Sequence, residues 1–178
     1  FQTGGETYYI TANEGDARDA ALNEERIKDL DLDPTAFPNA AVLQADEAIG
    51  RINASRFDGD TDGDGDQDAL YTYGSRSFSI FDAEGNLVFD SGDQIEQLLA
   101  DIATRRFNND DGEDIATEGD NRSDAKGPEP EAVNVVEVDG HVLAFIGLER
   151  DSGVMAFDVT DPQAPSFIDY IDGFAAGH

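Results

Sequence analysis

The sequence predicts an all-β fold: a fragment of a β-propeller with about two four-stranded blades and with long acidic, partly helical insertions on one face. Three observations predict it. One strand-and-turn pattern occurs twice, four short strands fit into one stretch of blade length, and the two longest irregular segments fall at equivalent connections. A four-stranded meander in a sandwich or barrel would have similar strand spacing, but the repeat favours the propeller. Because a propeller needs about four to eight blades, we expect the remaining blades, as partners of this domain, outside residues 1–178.

The first copy of the repeat is split by an insertion. Residues 6–14 read as a strand that ends in acidic residues, and residues 69–91 supply further strands around the turn Glu84-Gly85-Asn86. The insertion, residues 15–68, interrupts this first predicted blade.

The second copy is compact and occupies residues 131–172, in which Asp139-Gly140 is a strong hairpin signal. Residues 92–130 connect the two predicted blades. The aligned pairs are Glu14 with Glu149, Asp16 with Asp151, and Phe81-Asp82 with Phe157-Asp158.

The two long segments belong on one face of a propeller. One segment lies between the second and third strands of a blade, and the other joins two blades. Both connections emerge at the same rim. Each segment is predicted to carry a helix, over residues 17–30 and 93–106. Long loops on one rim of a rigid scaffold are a common place for function.

The charge of the chain restricts its partners. Lys and Arg total 11 and Asp and Glu total 40, which gives a formal net charge of −29. Nucleic acids and anionic lipids would be repelled, so neither is expected as a partner. Bound cations or a saline, marine-type environment would offset the charge. The chain has no cysteine. It also has no apolar run of membrane-spanning length, so direct membrane insertion is not expected. The chain begins at Phe1 and reads as a piece of a longer exported protein.

The strongest local signal is an alternating run of carboxylates and glycines that predicts a Ca²⁺ site. Its first half matches an EF-hand loop starting at Asp60, but Tyr71 occupies the twelfth position, where an EF-hand has a bidentate Glu. A solvated acidic linker is the alternative. The predicted ligands are Asp58, Asp60, Asp62, Asp64, Asp66 and Asp68.

A second acidic group is predicted at the mouth of the central channel. Glu129 and Glu131 precede or begin the innermost strand of the second blade, between stiffening prolines. Glu14, Asp16 and Glu149 end strands on the same rim, so five carboxylates would converge into an all-oxygen calcium site. Alternatively, neighbouring arginines neutralise them in salt bridges between blades.

Arg122, Lys126 and Arg76 are notable in a chain with so few cations. They suit either an anionic substrate such as a phosphate ester, or structural ion pairs with rim acids. A Ser-His-Asp hydrolase is disfavoured, because the chain has only two histidines and neither is placed beside Ser75 or Ser77.

The succession YITANEGDARD, GDTDGDGDQDALYTYGSRSFSIFD, RSDAKGPEPE and AFIGLERDSGVMAFDV resembles the choice-of-anchor I family over nearly all of the chain. These are exported bacterial proteins, similar to animal mesenchyme-specific cell-surface glycoproteins, and some members carry alkaline-phosphatase or phytase-like labels. The resemblance implies a propeller, export, and an extracellular or cell-surface location. It implies no secure activity.

Two functions follow as expectations. The first is a calcium-binding surface or adhesion module for an extracellular ligand. The second is a calcium-dependent phosphoesterase, with a multi-metal site that activates water. Its catalytic candidates are Glu129, Glu131, Arg122, Lys126 and Arg76.

Overall fold

The computed structural model describes residues 1–15, 23–102, 107–108, 120–124 and 126–173. In these ranges the protein is mostly β, with antiparallel sheets and short helices, in agreement with the predicted all-β class. The strands are β1 Gln2–Thr3, β2 Glu6–Asn13, β3 Glu24–Arg26, β4 Asn53–Ser55, β5 Ser77–Asp82, β6 Leu87–Asp90, β7 Pro130–Val138, β8 His141–Leu148, β9 Gly153–Asp158 and β10 Ser166–Asp172. The helices are a 3-10 turn Ile27–Asp29, α1 Ala40–Leu43 and α2 Gln94–Ile102.

The chain divides into two compact units. The sheet unit comprises residues 1–14, 75–123 and 127–178, and the insertion unit comprises residues 15–74 and 124–126. No helix in the described ranges is both long and apolar enough to cross a membrane.

The sheet unit holds two four-stranded antiparallel sheets of matching order, β1-β2-β5-β6 and β7-β8-β9-β10. The two aligned copies of the sequence repeat therefore occupy the same positions in two sheets. In the first sheet, β5 begins only at Ser77, so the strands within residues 69–91 are shorter than that range. The Asp139-Gly140 hairpin forms as predicted, with positive φ at both residues (51° and 84°), as a tight two-residue turn requires.

The core of the sheet unit is built by alternation. In β8 every second residue is buried, which places Val142, Ala144, Ile146 and Leu148 on one face. Strand β5 is buried on both faces from Ser77 to Ile80, as expected of an inner strand. Helix α2 lies within the predicted residues 93–106 and adds Ile95 and Leu99 to the same core, whereas Ile102 is half exposed.

The insertion unit has its own small core of Ile27, Leu30, Leu32 and Ala54. The helix predicted over residues 17–30 is wrong in its described half, because residues 24–26 pair with β4 and residues 27–29 form a 3-10 turn. Pairing with a distant strand overrides the helix propensity of Glu24, Glu25 and Arg26. Residues 16–22 lie outside the described ranges.

Candidate functional site

The acidic loop, residues 58–68 of the insertion unit, is held by its own carboxylates. Asp60 accepts hydrogen bonds from the backbone N–H groups of Gly63 (2.7 Å) and Gly65 (3.1 Å). Both glycines have positive φ (83° and 108°), which a side chain would disfavour. Asp68 accepts from the backbone N–H (2.8 Å) and the hydroxyl (2.7 Å) of Thr61. These bonds give the loop a defined fold and lower the pKa of Asp68.

Carboxylates of the insertion unit form two groups that share Asp68. One oxygen from each of Asp60, Asp62 and Asp68 lies within 4.8 Å of the others, and the same holds for Asp33, Asp66 and Asp68. We call these the two Asp triads. Carboxylate oxygens at such spacing are the donors that Ca²⁺ takes. Burial raises the pKa of Asp66 to about 6, and the negative charges of Asp64 and Asp33 add to the effect.

Asp33 belongs to the second Asp triad, and the sequence analysis did not predict it as a ligand. It lies outside the acidic run, and the backbone N–H groups of Thr35 (2.9 Å) and Ala36 (2.5 Å) donate to it as in an ordinary turn. A backbone bond from Asp33 N–H to the carbonyl oxygen of Gln67 (3.0 Å) brings it beside the acidic loop. Asp33 and the acidic loop are too far apart in sequence for a local pattern to predict their contact.

Two predicted ligands, Asp58 and Asp64, lie outside both Asp triads. Asp58 accepts a hydrogen bond from the Ser55 hydroxyl (2.6 Å), and Asp64 accepts one from the N–H of Asp66 (3.2 Å). The structure thus brings together four of the six predicted loop residues and adds Asp33.

A third group forms in the sheet unit from Glu14, Glu129 and Glu149, which we call the Glu triad. One carboxylate oxygen of each lies within 4.8 Å of the others. Glu14 directly follows β2, Glu149 directly follows β8, and Glu129 directly precedes β7. The matching ends of the two sheets explain this convergence, and Glu149 N–H also donates to the carbonyl oxygen of Glu129 (2.9 Å).

Glu129 is fully buried and held by arginines. Arg122 forms a short ion pair with its Oε1 atom, and Arg150 Nε lies 3.3 Å from the same atom. The backbone of Glu129 has φ of 52°, an uncommon conformation for a residue with a side chain. Such strain is typical of places where the surrounding structure fixes a functional or structural side chain.

Glu149 is the most exposed of the three members of the Glu triad. Its pKa is raised, first by the hydrogen bond it shares with the Glu129 carboxyl and then by burial, while Arg150 opposes the shift. A shared proton and a bound cation are two ways of relieving the same repulsion between carboxylates.

The other predicted residues of this rim that the structure describes do not join the Glu triad. Glu131 is exposed on β7, and Asp16 lies outside the described residues. Arg76 pairs with Glu96 (3.3 Å) and donates to the carbonyl oxygen of Ser123 (2.8 Å). Lys126 belongs to the insertion unit. Arg122 and Arg76 therefore both form ion pairs within the sheet unit.

Comparison with known proteins finds one matching family and a curated relative. The family model for the choice-of-anchor I domain matches residues 1–162. Gigasin-3a of Magallana gigas is 32% identical over 118 residues, which is 65% of this chain and 41% of that protein. The chain thus spans about two fifths of the length of this relative. No solved structure matches. These similarities indicate a β-rich protein with an extracellular or surface association.

Proposed function

Because the chain belongs to the choice-of-anchor I family, we propose that it is part of a secreted or cell-surface β-propeller that binds Ca²⁺ and serves in binding or adhesion. The pair of Asp triads that share Asp68 carries this proposal. The propeller itself is supported by two consecutive sheets of the same four-strand order.

Bound cations would stabilise the Asp triads. Unit charges about 4 Å apart interact by about 1 kcal/mol in water and by several times more near a protein surface. The insertion unit places five carboxylates in two such groups, and the charges of Asp64 and Asp33 add to burial in raising the pKa of Asp66. One divalent ion in each group, or one between them, would turn this repulsion into attraction. We infer that calcium stiffens the insertion unit and prepares its surface for a ligand.

The test is calcium binding by the whole chain after treatment with a chelator. We expect Ca²⁺ to raise the unfolding temperature, because a ligand at a hundred times its Kd stabilises the folded state by about 2.7 kcal/mol. Asp68→Asn should weaken calcium binding at least about tenfold, since it removes a charged ligand from both Asp triads. Glu47→Gln removes the same charge from an exposed position of the insertion unit and should leave binding unchanged.

Isothermal titration with Ca²⁺ and with Mg²⁺ gives the decisive readout. Heat of binding for Ca²⁺ that Glu47→Gln retains and Asp68→Asn loses would support the proposal. Equal binding by both variants, or no change in unfolding temperature between calcium and chelator, would refute it.

The Glu triad supports a second candidate function, that of a calcium-dependent phosphoesterase. Three carboxylates within 4.8 Å of one another suit metal ions that activate water. Against it, Arg122 and Arg150 already pair with Glu129, so a phosphate would have to compete with that carboxylate for them. Hydrolysis of a phosphomonoester by the full-length protein that stops with chelator and is lost in Glu149→Gln would favour the enzyme over the binding module.

A further inference from the structure

A pocket of the insertion unit has a different chemistry from the Asp triads. Its volume is about 250 Å³, and its walls include three aromatic rings, one carboxylate and three further polar side chains. The rings are those of Phe57, Tyr71 and Tyr73, and the carboxylate is Asp58. Phe57 is 66% exposed and Tyr71 is 51% exposed, so both rings offer their surface to solvent.

The pocket is framed by hydrogen bonds within the insertion unit. The backbone N–H of Ser55, at the end of β4, donates to the carbonyl oxygen of Tyr71 (2.8 Å). The Tyr73 hydroxyl donates to the carbonyl oxygen of Asn23 (2.9 Å). The Ser55 hydroxyl donates to Asp58 (2.6 Å) and so fixes the direction of its carboxylate. A ligand would therefore meet the Tyr73 and Asp58 side chains already in place, which reduces the entropy lost on binding.

We propose that this pocket binds an organic cation, namely an ammonium or quaternary ammonium group on a short alkyl chain. Aromatic faces attract such groups through their quadrupole, and the carboxylate of Asp58 supplies the opposite charge. The net charge of −29 draws cations towards the protein and repels anions. The volume is below that of a pocket for a drug-sized ligand and suits one head group.

The surroundings of the pocket agree with this assignment. Asp58 belongs to neither Asp triad, so the proposal does not depend on the calcium site. Arg56, the neighbouring cation in sequence, is paired with Glu25 at 3.0 Å. That ion pair leaves Asp58 as the charged side chain of the pocket wall.

The experiment titrates the full chain, with calcium in excess, with three probes in parallel. The probes are choline, a lysine residue blocked at both ends, and the carbon isostere of choline in which a tert-butyl group replaces the trimethylammonium. We expect choline or the blocked lysine to bind and the uncharged isostere to bind at least about tenfold more weakly. Tighter binding of choline indicates a quaternary amine as ligand, and tighter binding of the blocked lysine indicates a basic side chain of a protein.

Two variants locate the binding. Asp58→Asn keeps the acceptor for Ser55 but removes the charge, and Tyr71→Ala removes an aromatic wall; each should weaken cation binding about tenfold. Tyr9→Ala is the control, because Tyr9 is an exposed ring (58%) of β2 in the sheet unit. Calcium binding and thermal unfolding of each variant show whether it is folded. If Tyr71→Ala does not fold, the result for Asp58→Asn alone decides the test.

Three results would overturn the proposal. These are equal affinity for choline and its isostere, undiminished cation binding in Asp58→Asn, and no binding of either cation. Binding of a neutral methyl glycoside that Tyr71→Ala abolishes and Asp58→Asn does not would assign the pocket to a sugar instead. Calcium binding is measured in the same samples, so the calcium site and this pocket succeed or fail separately.

Discussion

Glu129 shows how one residue can join structure to a candidate site. Its side chain is fully buried, its backbone is in the left-handed region, and two other carboxylates lie within 4.8 Å. Each of these features is unfavourable alone. Arg122 and Arg150 offset them with ion pairs to the same oxygen atom. The sequence shows the acid and the arginines, but not which of them would meet.

We predict that Glu129→Gln destabilises the fold. It removes the shared partner of two arginines, and breaking a buried ion pair in this way costs about 3–5 kcal/mol. The change in the free energy of unfolding should be measured by urea denaturation. Glu131→Gln, two positions later and exposed on β7, is the control and should change stability by less than about 0.5 kcal/mol. If the two variants are equally stable, Glu129 is not the anchor of this network.

Among the strands and turns, the Asp of each repeated Phe-Asp pair closes the turn that follows its strand. Asp82 closes the turn between β5 and β6 by accepting hydrogen bonds from the N–H groups of Glu84 (3.0 Å) and Asn86 (2.8 Å). Asp158 closes the equivalent turn after β9 by accepting from Thr160 N–H (2.9 Å) and pairing with His141 (2.8 Å). The preceding aromatic of the second copy, Phe157, is buried in the core. Phe81 of the first copy is half-buried, so what the two copies share is the turn cap.

Asp158 gives this element a defined response to pH. Hydrogen bonds from Thr160, and then His141, lower its pKa from 3.8 to about 2. As pH falls, the unfolded chain binds the proton first, so this stabilisation is present above about pH 4 and is lost as pH falls to about 2. We expect the stability difference between the wild type and Asp158→Asn to shrink over that range by on the order of 1 kcal/mol.

The measurement is urea denaturation of both proteins at a series of pH values. Taking the difference removes the general effect of neutralising a chain of charge −29. Glu137→Gln, at an exposed position of β7, is the control and should give no such trend. A difference that stays constant from pH 6 to pH 2 would contradict the role of Asp158.

At the scale of the whole molecule, one core joins both sheets of the sheet unit. Phe78 of β5 and Phe157 of β9 are fully buried, and their ring centroids are 4.8 Å apart. Phe167 of β10 packs at the edge of Phe157, 5.7 Å between centroids. Aromatic pairs in this geometry stabilise beyond the area they bury. The two copies of the repeat are thereby tied into one folding unit.

We predict that Phe157→Ala lowers the free energy of unfolding by about 3–5 kcal/mol, because it leaves a cavity where the two sheets meet. Leu87→Ala, at a side chain that is 60% exposed, should change it by less than about 0.5 kcal/mol. Both values come from chemical denaturation in calcium. Equal effects would mean that the core does not hold the sheets together.

Much of the fold could be predicted because its signals are local. Alternation in β8, the Asp139-Gly140 hairpin and the amphipathic helix α2 are each encoded within a few residues. The acidic loop is likewise visible as a run of alternating carboxylates. The pairing of residues 24–26 with β4 was missed, since its partner lies far away in sequence.

The β-rich class, the repeated strand order, the family and the acidic composition of the sites follow from the residues alone. Which acids meet depends on the tertiary fold. It brought Asp33 to Asp66 and Asp68, joined Glu14 with Glu129 and Glu149, and turned Asp58 towards an aromatic pocket. The physical reason is that a strand or turn depends on neighbouring residues, whereas a site depends on where distant segments are held by backbone pairing and packing.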